Sequence, residues 1–296
     1  MSWKIREREL ALDRPRLMGI LNITADSFSD GGRYLNPDNA LRQAETLIRE
    51  GADILDLGAE STRPGAKPVS MELECERLLS VLKILRREVS TPISIDTTKP
   101  ETARACLQAG ADIINDVSAL KDSGPAMAAC VCEYGAGLVL MHRRGNPGTM
   151  QTLAHYQNVV EEIMAELRTS LDLASAGGIS RAQIVVDPGL GFAKTTEQNL
   201  EILRQIEEFQ ALGYPILLGP SRKSFMGPVT GRSVGEREFA TAAVVAYGLV
   251  KDIKIWRVHN VAAMRDVVQM IHAIGDARGY PTSGGNYVGT FKMGEY

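Results

Sequence analysis

Asn22, Asp96, Asn115 and Asp187 are short amide and acid side chains, each set among large apolar residues near the end of an aliphatic run. Strand ends that simply meet water usually carry Lys or Glu. Short groups on a rigid backbone are fixed donors and acceptors, and these suit recognition of a flat, polar heterocycle. Arg63, Lys223, Arg257 and His259 form a second, cationic set at the ends of other runs. Arg offers a planar fork of N–H donors, Lys a point charge, and His a donor from either ring nitrogen, so this set suits a phosphate. For any single residue, contact with water explains a polar strand end equally well, and surface salt bridges are the plainer account of the cations. As sets they favour a site, provided that one fold brings the run ends to one rim.

The elements that must do so are eight near-continuous apolar runs. They are RLMGILNIT from Arg16, DILDLGAES from Asp53, PISIDTT from Pro92 and DIINDVSA from Asp112, then GLVLMH from Gly137, QIVVDPG from Gln183, PILLGPS from Pro215 and IKIWRVH from Ile253. Such runs suit strands buried on both faces of a parallel sheet. Helical patterns separate them. The stretch from Met71 to Val89 has apolar residues at helical spacing. Pro37 and Pro100 fit first-turn positions, and Gly51, Gly110, Gly135 and Gly213 fit the residue just past a helix end. Gly51-Ala-Asp-Ile and Gly110-Ala-Asp-Ile repeat one helix-to-strand joint. Eight such units predict an α/β fold, a (β/α)8 TIM barrel in a single domain over residues 1–277, with right-handed crossovers. A doubly wound open sheet is the other architecture compatible with this rhythm. Residues 278–296, rich in Gly and polar side chains, are expected to form a loosely held tail.

In such a barrel the chemistry sits where the strands end. The ends supply Asn22 and Thr24, then Glu60, Ser61, Thr62 and Arg63, then Asp96 and Thr97, then Asn115 and Asp116. His142, Asp187, the group Ser221, Arg222 and Lys223, and finally Arg257 and His259 complete the rim. Lys223, Arg257 and His259 follow the seventh and eighth strands, the usual phosphate position in barrels.

Other chemistries find less support. The net charge of −3 disfavours nucleic acid as the main partner but allows a locally cationic pocket. No apolar run is long enough to span a bilayer. The opening MSWKIREREL lacks the apolar stretch of a secretory signal, so a cytoplasmic location is expected. Cys75, Cys106, Cys130 and Cys132 fall in helical stretches and read as reduced thiols. His142 and His259 have no close partner at metal-ligand spacing, which disfavours zinc. His155 and His272 sit in helical stretches and read as ordinary residues. GLGFAKT lacks the Gly that a Walker A motif places before its Lys, here Lys194. Ser221 has no His and Asp partners by spacing, which argues against a hydrolase triad.

Eight strings in order, however, resemble one family. They are Asn22-Ile-Thr-Ala-Asp-Ser-Phe-Ser-Asp-Gly-Gly, Glu60-Ser-Thr-Arg-Pro-Gly, Ser94-Ile-Asp-Thr, Asn115-Asp-Val, Met141-His, Asp187-Pro-Gly-Leu-Gly-Phe, Ser221-Arg-Lys-Ser-Phe and Arg257-Val-His. From about Arg16 to Ala277 the chain resembles the dihydropteroate synthases of the pterin-binding enzyme family. The resemblance implies condensation of a dihydropterin-methyl diphosphate with p-aminobenzoate in folate biosynthesis, and makes the chain a sulfonamide target. It implies that Asp96, Asn115, Met141, Asp187 and Lys223 hold the pterin, with Asp187 accepting from its aminopyrimidine edge and Lys223 donating to its ring carbonyl. Asn22, Arg63, Arg257 and His259 would hold the diphosphate, Asn22 also serving a Mg²⁺ ion. Thr62, Pro64, Phe192, Lys223 and Ser224 would receive p-aminobenzoate. Loops from Thr24 to Gly32 and from Thr62 to Lys67 would close over the site, bringing Asp30 to the amine. Asp96, Lys223 and Asp30 are the expected catalytic groups, in an SN1-like loss of diphosphate. A homodimer through the late helices is also implied, the apolar stretch Ala240 to Val250 being compatible with that or with a buried helix. Four positions depart from the family's usual wording: Ala25 for Pro, Ala59 for Gly, Gln198 for His and Asn260 for Asp. A pterin-binding methyltransferase domain and a non-catalytic pterin-binding module are the rival classes. The cationic strings Ser221-Arg-Lys-Ser-Phe and Arg257-Val-His favour the synthase.

Overall fold

The computed structural model describes residues 1–23, 37–61, 65–66 and 68–277. The expected tail, Thr24, Asp30, Thr62, Arg63, Pro64 and most of both expected lid loops lie outside these residues. A short antiparallel hairpin, β1 (Ser2–Ile5) and β2 (Arg8–Ala11), opens the chain. The eight apolar runs then form β3 (Arg16–Asn22), β4 (Ile54–Gly58), β5 (Ile93–Asp96), β6 (Ile113–Asp116), β7 (Gly137–Met141), β8 (Ile184–Asp187), β9 (Leu217–Leu218) and β10 (Ile255–Val258). All eight are parallel, in the order β8-β7-β6-β5-β4-β3-β10-β9. A parallel bridge from Val186 to Ile216 joins the two outer members and closes the barrel. β9 is only two residues long because Pro215 and Pro220 bracket it, and proline cannot donate to a ladder.

Helices α1 (Pro37–Glu50), α2 (Met71–Glu88), α3 (Pro100–Gln108), α4 (Gly124–Tyr134), α5 (Val159–Ala176), α6 (Thr196–Arg204), α7 (Met226–Thr230), α8 (Glu238–Val250) and α9 (Val261–Ala277) follow the strands. No helix among the described residues is long and apolar enough to cross a membrane. The repeated Gly-Ala-Asp-Ile joint works identically twice. Gly51 and Gly110 have φ of +104° and +105°, a conformation that costs glycine least. The Asp that follows then stitches neighbouring strands. Asp53 Oδ2 accepts from the Leu17 amide and Asp112 Oδ2 from the Ile93 amide, each at 2.9 Å. His155, expected in a helix, instead stands exposed between a 3₁₀ turn (Met150–Leu153) and α5.

Side chains alternate in and out along each strand. Leu55, Leu57, Ile93 and Ile95 pack outward against the helices. Met18, Ile54, Ile113, Val139, Val185, Leu217 and Ile255 fill the lower barrel. Two residues further on, the same inward positions carry Asp56, Asn115, Met141, Asp187 and Arg257, with Asp96 above Ser94. The hairpin seals the opposite end. Trp3 and Ile5 project from β1 into the lower cluster, joined by Leu12, and the Trp3 indole donates to the Gln183 carbonyl at 2.8 Å. The barrel therefore has a greasy floor and a polar mouth.

Candidate active site

The centre of the mouth is an ionic group built on Arg257. Arg257, from β10, donates through Nε to Asp56 Oδ2 of β4 at 2.6 Å and through Nη2 to Asp96 Oδ2 of β5 at 2.8 Å. Asn115 of β6 donates to the same Asp56 oxygen at 3.5 Å. Two carboxylates this deep are tolerable because a guanidinium lies between them. Burial still pushes the Asp96 carboxyl up, to about 7, against the pull of Arg257, and the Asp56 charge pushes the same way. The strand run conceals Asp56 among Leu and Ile. The available signal was an ionisable residue in the middle of a run otherwise read as buried on both faces.

Asp187 ends β8 opposite Met141. Its Oδ1 accepts from the Gly189 amide at 2.7 Å, which fixes the carboxylate's direction. Burial raises its pKa to about 6, against that hydrogen bond and the charge of Lys223. Lys223 places its ammonium 4.0 Å from the centroid of the Phe192 ring, a cation–π contact. Phe192 and Met141 belong to one apolar cluster with Val117, Met150 and Ala193. Ser224 is exposed just before α7. A cavity of about 320 Å³ opens beside Asp96, with Thr97, Lys99, Val117 and Arg143 in its lining.

His259 is set by Ser221, whose hydroxyl lies 2.8 Å from Nδ1 and accepts from the His259 amide at 3.2 Å. Asn22 stands half-buried at the end of β3. His142 turns the other way. It is fully buried, with Nε2 3.2 Å from Glu166 and Nδ1 3.1 Å from Lys194. Burial, and then the Lys194 charge, lower its pKa to about 3, so the neutral ring donates to Glu166 and accepts from Lys194. Lys194 also donates to the carbonyls of Gly189 at 2.9 Å and Phe192 at 2.8 Å, pinning the loop that carries Phe192 and backs Asp187. Asp116 likewise faces its own loop, accepting from the Ser118 and Leu120 amides. The basic pair after β7 is neutralised locally. Arg143 meets Asp122, while Arg144 pairs with Glu162 and Glu166 over the Tyr156 ring.

The chain matches the pterin binding enzyme family over residues 18–259. It is 45% identical over 262 residues to the dihydropteroate synthase of Synechocystis sp., covering 88% of this chain and 90% of that protein. The chain belongs to the dihydropteroate synthase family. Solved members share its shape. The Yersinia pestis dihydropteroate synthase, in a sulfonamide drug complex, superposes with a TM-score of 0.87 at 33% identity, covering 93% of this chain and 100% of that one. The Burkholderia cenocepacia dihydropteroate synthase, complexed with 7,8-dihydropteroate, gives 0.85 at 37% identity, covering 94% and 98%.

Three of the four departures from the dihydropteroate synthase wording have structural duties here. Ala59 is fully buried after β4. Gln198 closes a capping box with Thr195 at the start of α6. Asn260 accepts from the Ala263 amide at the start of α9, at 3.1 Å. Ala25 lies outside the described residues.

Proposed function

We propose that the chain joins (7,8-dihydropterin-6-yl)methyl diphosphate to p-aminobenzoate, giving 7,8-dihydropteroate and diphosphate. The observation that carries this reading is the set of buried, inward Asp96, Asn115 and Asp187 on β5, β6 and β8, with Lys223 and Phe192 together at the same mouth. The Asp187 carboxylate, aimed by the Gly189 amide, is a matched acceptor for the donor pair of an aminopyrimidine. Asn115 adds an amide, Lys223 a donor for the ring carbonyl, and Met141 and Phe192 apolar cover.

The diphosphate falls to Asn22, Arg63, Arg257 and His259. Arg257 keeps 20% of its side chain exposed above its two carboxylates. Asn22 offers a hard carboxamide oxygen at the rim. Among the described residues no three His, Cys, Asp or Glu side chains gather as a metal cage. A Mg²⁺ ion would be held by Asn22, waters and phosphate oxygens, an arrangement that this cation favours. When bound it neutralises charge on the leaving diphosphate.

As the methylene C–O bond breaks, the electron pair leaves with diphosphate and positive charge spreads over the pterin. The Asp96 carboxylate would oppose that charge. The aryl amine is neutral at pH 7 and needs positioning more than a strong base. Thr62, Pro64, Phe192, Lys223 and Ser224 are its proposed pocket, and Asp30 its proton acceptor. The four unpaired thiols suit a reducing cytoplasm. Phe239, Ala243, Tyr247 and Val250 are exposed at helical spacing on α8, which supports a homodimer through that face. Chromatographic detection of 7,8-dihydropteroate from the two substrates and Mg²⁺ tests the reaction; no product would refute it.

A further inference from the structure

We infer that Asp56 is a positioning residue for the reaction, acting from beneath the site by holding the Arg257 guanidinium against Asp96 and the Asn115 amide in register. Asp56 is fully buried, two residues above the lower core at Ile54 and one inward position below Gly58. It exposes no surface to the mouth. Its Oδ2 nevertheless takes the Arg257 Nε at 2.6 Å and the Asn115 Nδ2 at 3.5 Å. Its Oδ1 is buried with no hydrogen-bond partner. Among the described residues the positive charge hydrogen-bonded to Asp56 is Arg257. Loss of Arg257 would leave Asp56 as a buried, unmatched ion, whereas loss of Asp56 would leave Arg257 held by Asp96 alone.

The consequence for chemistry is geometric. Arg257 is a long side chain with several rotamers, and its free orientation would cost entropy at every turnover. Anchoring Nε on Asp56 aims Nη2 at Asp96 and leaves the rest of the fork for the diphosphate side. Asn115, one strand beyond, is tied to the same oxygen. One carboxylate on β4 thus sets groups on β6 and β10 and, through Arg257, on β5. Small displacements of such groups carry large rate penalties.

The proposal rests on the synthase reading, and its test distinguishes the two. Asp56→Asn keeps shape and removes the charge. Its kcat is expected to fall about a hundredfold with KM for p-aminobenzoate little changed. In ligand-free protein, a ¹³C titration of the Asp96 carboxyl is expected to move to lower pH, because a like charge has been removed. Arg257, Glu74 of α2 and Lys223 also face Asp96 and remain in place. An unchanged kcat, or an unmoved Asp96 midpoint in the folded variant, would overturn the inference. If Asp56→Asn does not fold, the pair Asp56→Asn/Arg257→Gln is compared with Arg257→Gln alone. Equal kcat supports action through Arg257, and a further large loss contradicts it. Should the unaltered chain form no product, the reaction is at fault, and the titration still judges Asp56.

Discussion

A carboxylate beside a developing cation helps only while it is ionised, and Asp96 sits where that condition is finely balanced. Burial raises it from its ordinary 3.8 to about 7. Lowering the pH through 7 adds a proton and removes the anion in the free protein, so kcat/KM is expected to fall about tenfold per pH unit on the acid side, read from a pH–rate profile. A flat profile down to pH 5 would contradict this. Stability from the same group runs the other way. A raised folded-state pKa stabilises fully below 3.8 and loses that contribution as the pH rises through about 7. Asp96→Asn is expected to lower kcat by about a hundredfold or more with little change in pterin affinity, compared by turnover and calorimetry; near-normal turnover would sink the cation role. Most of these groups are legible in the sequence because short polar residues stand out against aliphatic runs. Asp56 is harder to read, since its one local mark is a charge in the middle of a strand run rather than at its end. Position along the strand puts His142 and Asp116 at the rim, yet alternation turns both away from it.

Elements show a similar division. The eight strand runs are legible because burial on both faces makes them continuous in apolar residues. The hairpin is not, because Trp3 and Ile5 alternate with Ser and Lys in a strand of four residues. Its task is nonetheless large. Trp3 fills the barrel floor with no exposed surface. Trp3→Ala is expected to cost about 3–5 kcal/mol in urea unfolding while leaving kcat of the folded fraction unchanged. A matching loss of kcat would mean that floor and mouth are coupled. The Gly-Ala-Asp-Ile joint was legible as a repeat, but its purpose was not. Only the register shows that Asp53 and Asp112 tie each new strand to its neighbour.

At the scale of the whole molecule, closure of the sheet is what turns scattered strand ends into one mouth. The sequence rhythm leaves an open sheet possible, and the bridge from Val186 to Ile216 excludes it. On the outer face of the barrel, α8 carries an apolar stripe in which Phe239 is 90% exposed. If the chain pairs through α8 as proposed, the unaltered protein sediments as a dimer and Phe239→Arg as a monomer; a monomeric parent would refute the pairing, and a dimeric variant would move the interface elsewhere. The central claim is that this mouth transfers a pterinylmethyl group to an aryl amine. It is tested most directly by following diphosphate release from the pterin diphosphate with Mg²⁺, with and without p-aminobenzoate. The account predicts release that depends on p-aminobenzoate and matches dihydropteroate formed one for one. Release indifferent to p-aminobenzoate, or none, would contradict it.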